Sequence, residues 1–174
     1  LSITGGLGLG PDEPSDLRAV LSGTELQGRE MFRAAPEEAR VVLSGEVQAR
    51  GPLAFPEQIE ARAVLHRVEV GMAGVRLEAR SPVELTLGGG RLTLAPVVFG
   101  GEGTSIELRG GIDPGAAGTI DLAATGGIDL KLLRLFVKGL QVTGAAQIAM
   151  QVGGPLAAPV FEGRLQAEAE AIRH

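Results

Sequence analysis

At 174 residues the chain is long enough for one ordinary domain, or for a few β-units of a longer array, and its 44% hydrophobic content separates it from disordered chains despite 27 Gly and 10 Pro. The net charge of -5 comes from interspersed signs with no basic stripe, so nothing attracts a phosphate backbone and no nucleic-acid partner is expected. The absence of Cys removes disulfides and thiolate chemistry, and with no Trp or Tyr and only five Phe the interior has to be aliphatic.

The first residues, Leu1-Ser2-Ile3-Thr4-Gly5-Gly6, carry neither an initiator Met nor a basic leader, so the chain is expected to start inside a longer protein. Gly5 to Pro14 contains too much Gly and Pro for a central strand and reads as an edge strand running into a loop. Arg18-Ala19-Val20-Leu21 then recurs as Arg62-Ala63-Val64-Leu65, with Glu25-Leu26 answered at the same offset by Glu69-Val70. Arg33-Ala34-Ala35-Pro36 before Val41-Val42-Leu43 has a counterpart in Ala79-Arg80-Ser81-Pro82 before Val83-Glu84-Leu85. The stretch Val47 to Pro56 matches Met150 to Pro159 at six of ten positions, each a strand that ends in Gly-Pro and is followed by a second Pro. Two units, about 17–56 and 61–159, are expected within a single β-groove fragment spanning 1–174.

From Ile59 onward apolar and polar residues alternate with period two. Ile59, Ala61, Ala63 and Leu65 are followed by Val68 and Val70, then Val75, Leu77 and Ala79, then Val83, Leu85 and Leu87. Leu92 and Leu94, Ile106 and Leu108, Ile120 and Leu122 continue the series, followed by Val142, Ile148, Met150 and Val152, and by Phe161, Leu165 and Ala167. Alternation of this kind means antiparallel sheets with one dry and one solvated face. Gly88-Gly89-Gly90, Gly100-Gly101-Glu102-Gly103, Asp113-Pro114-Gly115 and Gly126-Gly127 separate the strands and read as hairpin connections. Asp129 to Lys138 breaks the pattern. A cap at Asp129, helical apolar spacing and Gly139 as a stop predict a short helix over 129–138, with an extended strand as the alternative.

The phrases Gly110-Gly111-Ile112-Asp113, Gly118-Thr119-Ile120-Asp121-Leu122 and Gly126-Gly127-Ile128-Asp129-Leu130 lead into that short apolar helix. With Val142 to Gln147 and Val152 to Leu165, they resemble the TamB family of the AsmA-like superfamily, most clearly over 59–172. The resemblance implies an all-β fold, an elongated curled antiparallel sheet forming an open, taco-shaped groove; about 12 strands at ~4.8 Å spacing would span roughly 55 Å. It also implies a periplasmic location, as part of an inner-membrane-anchored protein of a diderm bacterium, beside an outer-membrane barrel of the TamA or BamA kind. The implied cargo is phospholipid, or nascent outer-membrane β-strands whose assembly the protein assists. The groove lining would then be Leu65, Val68, Val70, Leu77, Leu85, Leu87, Leu92, Leu94, Ile106, Leu108, Ile120, Leu122, Val142, Ile148, Met150, Val152, Phe161 and Leu165.

No catalytic constellation stands out, and neither an enzyme nor a cofactor is expected. His66 and His174 are far apart without metal-ligand spacing, and Gly6-Leu7-Gly8-Leu9-Gly10 runs into Pro11 where a phosphate loop would open a helix. Asp113, Asp121 and Asp129 recur near strand ends but lack the ligand density of a calcium site and read as turn residues. The apolar set has two readings, since the core of a closed β-sandwich would alternate in the same way as a lipid-facing groove. A third and less favoured reading is a β-helical adhesin or polysaccharide-acting surface enzyme, whose rungs usually carry stacked Asn ladders or carboxylate pairs; with no Asn the ladder cannot form.

Overall fold

The computed structural model describes residues 2–6, 8, 13–27, 40–52, 55–72, 75–101, 103–115, 118–130 and 141–173. Eleven strands form one antiparallel sheet: β1 (Ser2–Gly6), β2 (Ser15–Gln27), β3 (Arg40–Gly51), β4 (Glu60–Met72), β5 (Val75–Ala79), β6 (Val83–Gly88), β7 (Arg91–Gly101), β8 (Thr104–Asp113), β9 (Thr119–Asp129), β10 (Gln141–Pro155) and β11 (Val160–Arg173). The chain is therefore all-β, as its alternation predicts. Apart from β5 and β6, which follow one another but each pair with β4 and β7, neighbours in sequence are neighbours in the sheet; among the described residues β1 and β11 each pair on one side only, so the described sheet is open rather than closed into a barrel.

The polar positions of each strand gather on the outer face. There Arg18 meets Glu46 at 2.6 Å, Arg40 meets Glu25 at 2.8 Å and Arg62 meets Glu84 at 3.0 Å. These pairs are solvent-exposed and each contributes at most about 1 kcal/mol; their main effect is to keep this face in water.

Successive strands share one irregularity. In β2, Ser22 and Gly23 together oppose the single Ser44 of β3, and the Gly23 amide donates to Ser44 Oγ at 2.9 Å. In β4, His66 is an extra residue between Leu65 and Arg67, which pair with Gly45 and Ser44. The next position is shared by β5 and β6, both of which pair with β4, and Arg80-Ser81-Pro82 interrupts it. Pro82 has no amide to donate, and the ladder there is held by the Arg80 amide on the Val98 carbonyl at 2.8 Å. In β7, Ala95 and Pro96 oppose Arg109 alone. Through the register these breaks line up across the sheet from β2 to β7. Each bulge bends its strand and increases its twist, so together they crease the sheet across its strands. The repeated Arg-Ala-Val-Leu thereby acquires a structural meaning: Leu21 and Leu65 are the last residues before the crease in β2 and β4.

At β8 the crease meets glycine instead of a bulge. Gly110, opposite Leu94, has φ of +138°, and a Cβ built there would collide with the Asp121 carbonyl oxygen. Gly126 in β9 is similar, with φ of +146° and the Ser105 carbonyl in the way. Gly126-Gly127 is thus not a hairpin connection; it lies within β9, paired with Ile106 and Ser105 of β8, because close backbone approach demands glycine in a strand as much as in a turn. Gly88-Gly89-Gly90 does turn, joining β6 to β7 with φ of +57° and +76° at Gly89 and Gly90. Gly51-Pro52 ends β3, and Pro155 is the last residue of β10. A 3₁₀ turn at Pro56–Gln58 precedes β4. Of the helix expected over 129–138, Asp129 is the last residue of β9 and Leu130 follows it in a 3₁₀ conformation, while 131–138 lie outside the described residues. The repeat partners at 33–36 also lie outside them.

Gly110→Ala is expected to cost roughly 3 kcal/mol or more, through its positive φ and the collision with Asp121. Gly153→Ala, where the nearest atom would be the Ile120 carbonyl oxygen at 4.0 Å, should change stability by less than about 1 kcal/mol. Urea unfolding followed by circular dichroism measures both.

Candidate functional site: the concave apolar face

Residues directly opposite in an antiparallel ladder project to the same face, so the register decides which apolar side chains share a surface. Leu65 faces Val83, Val68 faces Leu43, and Val70 faces Leu77. Leu85 and Leu87 face Leu94 and Leu92, and Leu92 in turn faces Ile112. Ile106 and Leu108 face Phe99 and Val97, and Ile112 faces Ile120. Leu122 faces Val152, Met150 faces Ala124, and Ile148 and Val152 face Leu165 and Phe161. Seventeen of the eighteen expected lining residues therefore share one face. Val142 pairs with Ile172 in the same sheet, and its side chain lies outside the described residues.

This face is not uniform along the sheet. At its middle Val41, Leu65, Val68, Val83 and Val97 are buried, with Leu21, Leu43, Val70, Leu85, Leu94, Phe99 and Leu108 packed against them. Val97 is only 1% exposed. A flat sheet with a bare face cannot bury a side chain so completely, and burial along the line of the breaks is what a sheet curled about its crease produces. Val41, Leu43, Val68, Val70, Phe99 and Leu108 belong to one wall, and Leu21, Leu65, Val83, Leu85 and Leu94 to the other. A second cluster of Ile128, Leu130 and Ala146 includes Val75 at its margin.

Towards the last strands the face opens. Met150 is exposed, and Phe161 and Leu165 are 66% and 50% exposed. At the other edge Ile3 of β1 is exposed as well. Polar atoms are satisfied internally: buried Ser15 accepts the Gly8 amide at 3.1 Å and buried Thr104 accepts the Asp129 amide at 3.1 Å. Among the described residues no buried side-chain nitrogen or oxygen lacks a partner. The chemistry this face offers is burial of hydrocarbon, without directional polar recognition.

The remaining candidates stay apart from this face. His66 is the exposed bulge residue of β4, and His174 lies outside the described residues. Asp113 accepts the Gly115 amide at 3.0 Å as a turn residue, and Asp121 stands 4.0 Å from Arg91 on the outer face. Among the described residues no group of three His, Asp or Glu could hold a metal ion.

Sequence reasoning missed the central residues Val41, Val97, Phe99 and Ile128 as lining. For Val97 and Phe99 the reason is the bulge, which shifts the inward parity from Leu92 and Leu94 to odd positions. Pro96 inside an otherwise regular strand was the available signal.

Fold and face together define an open, single-sheet β-groove protein with an aliphatic concave surface. No protein-family model, curated protein or solved structure matches the chain.

Leu65→Ala should cost about 2 to 5 kcal/mol, because it empties a packed site. Leu165→Ala, at a half-exposed position of the same face, should cost less than about 1 kcal/mol. Equal costs in urea unfolding would contradict the division into a packed middle and an open end.

Proposed function

We propose that this chain is a non-enzymatic carrier of hydrocarbon, which takes phospholipid acyl chains onto its concave face in the periplasm. One observation carries the reading: an apolar face continuous through the register from β4 to β11, whose last side chains, Phe161 and Leu165, stand in solvent. Exposed apolar side chains grouped on one face mark an interaction surface, and each methylene removed from water contributes about 0.8 kcal/mol. Since among the described residues the face carries no unpaired buried polar side-chain atom, selection among headgroups would be weak. The likeness to TamB phrases extends the reading to transfer between inner and outer membranes beside a TamA- or BamA-like barrel, in support of outer-membrane protein and autotransporter assembly.

A second reading is favoured by one feature, the open edge of β11, a 14-residue strand that among the described residues pairs only with β10. Its free backbone groups could add a nascent outer-membrane strand by β-augmentation, without lipid conduction.

The test is native mass spectrometry of the purified chain with lipid extraction, beside Phe161→Arg/Leu165→Arg. Both positions are exposed, so this variant should fold. Wild type is expected to retain phospholipid, and the folded variant to lose at least about tenfold, equivalent to about 1.4 kcal/mol. A lipid-free wild type that crosslinks client strands along β11 would favour augmentation instead.

A further inference from the structure

Resting on the acyl-chain reading, we infer that the middle of the groove is a closed constriction, hinged at the crease, which parts to let hydrocarbon pass. Two features locate it. Val41, Leu65, Val68, Val83 and Val97 are buried along the crease, so in the state described no acyl chain has room against them. The same stretch is where the ladder is already interrupted, at Ser22-Gly23, His66, Arg80-Ser81-Pro82 and Ala95-Pro96. A change of angle between the walls can be absorbed at these breaks, leaving the regular pairing on either side intact. Leu85 facing Leu94, and Val70 facing Leu77, would travel with their own walls because each pair is held by backbone hydrogen bonds within one wall. Hydrocarbon held near Phe161 and Leu165 thus reaches the rest of the groove only when the constriction opens.

The chain has no Cys, so two can be introduced cleanly. Arg76 of β5 and Thr86 of β6 are exposed on the outer face at either side of the Arg80-Ser81-Pro82 break. Spin labels on Arg76→Cys/Thr86→Cys report the angle between the walls by double electron-electron resonance. Walls in apolar contact stand about 10 Å apart, and one inserted acyl chain adds roughly 4 to 5 Å. On loading from phosphatidylethanolamine/phosphatidylglycerol vesicles, with bound lipid confirmed by native mass spectrometry, a longer-distance population displaced by about that amount is expected. Val97→Ala should raise that population without lipid, provided circular dichroism shows the fold retained. Bound lipid with an unchanged distribution overturns the constriction and leaves the carrier reading standing. Failure to bind lipid at all overturns the carrier reading, and the constriction with it.

Discussion

Everything distinctive in this molecule depends on one backbone constraint, the alignment of ladder interruptions across consecutive strands. A meander of alternating strands has no intrinsic reason to fold its apolar face inwards; without a bend it would be a twisted ribbon with one bare side. Extra residues in β2, β4 and β7, and the break between β5 and β6, supply the bend strand by strand. Because they fall at the same level through the register, the bends add. The buried side chains follow directly: Leu65 and Val68 flank His66, Val83 follows Pro82, and Val97 follows Pro96. The larger buried cluster sits where the sheet is creased, and the smaller one of Ile128, Leu130 and Ala146 lies off that line.

The crease also explains how the two halves of the sheet differ. Its bulges are confined to β2 through β7; the β8–β9 and β9–β10 ladders run without a register shift, and the shift between β10 and β11, at Thr143/Gly144, lies away from the crease. Beyond β7 the crease meets Gly110, whose positive φ permits curvature without forcing it as an extra residue does. The walls close over the bulged strands, and the face remains exposed at Met150, Phe161 and Leu165. Packed core and open groove are one surface under stronger and weaker bending.

The strands and their inward residues were legible in the sequence because a half-buried sheet leaves a period-two signature, and Leu85, Leu87, Ile120 and Leu122 carry it plainly. The sheet order was legible from the short turns, as at Gly89-Gly90. The bulges were not, because an inserted residue appears in sequence only as a local slip of parity, easily taken for the end of a strand. Gly126-Gly127 shows the converse difficulty: a glycine pair is the same two letters whether the chain turns there or a neighbouring carbonyl crowds it. Nor does alternation separate a groove from a sandwich core. This sheet is sandwich-like at Val97 and open at Phe161, so both readings of the pattern describe part of it.

Energetics limits how such a face could work. Burying a Val or Leu side chain contributes about 1.5 to 3 kcal/mol, so the five buried residues of the central cluster together supply roughly 7 to 15 kcal/mol, the scale of a whole domain's net stability. A groove open along its full length would lack that contribution and have little to oppose the entropy of ordering so many extended residues. By the same measure, separating the walls everywhere at once would approach the cost of unfolding. Parting at one or two strand positions exposes only one or two of these side chains, about 2 to 6 kcal/mol, and an incoming acyl chain offsets this by covering them again. Opening of the constriction would therefore depend on the incoming hydrocarbon covering the side chains that the parting walls expose.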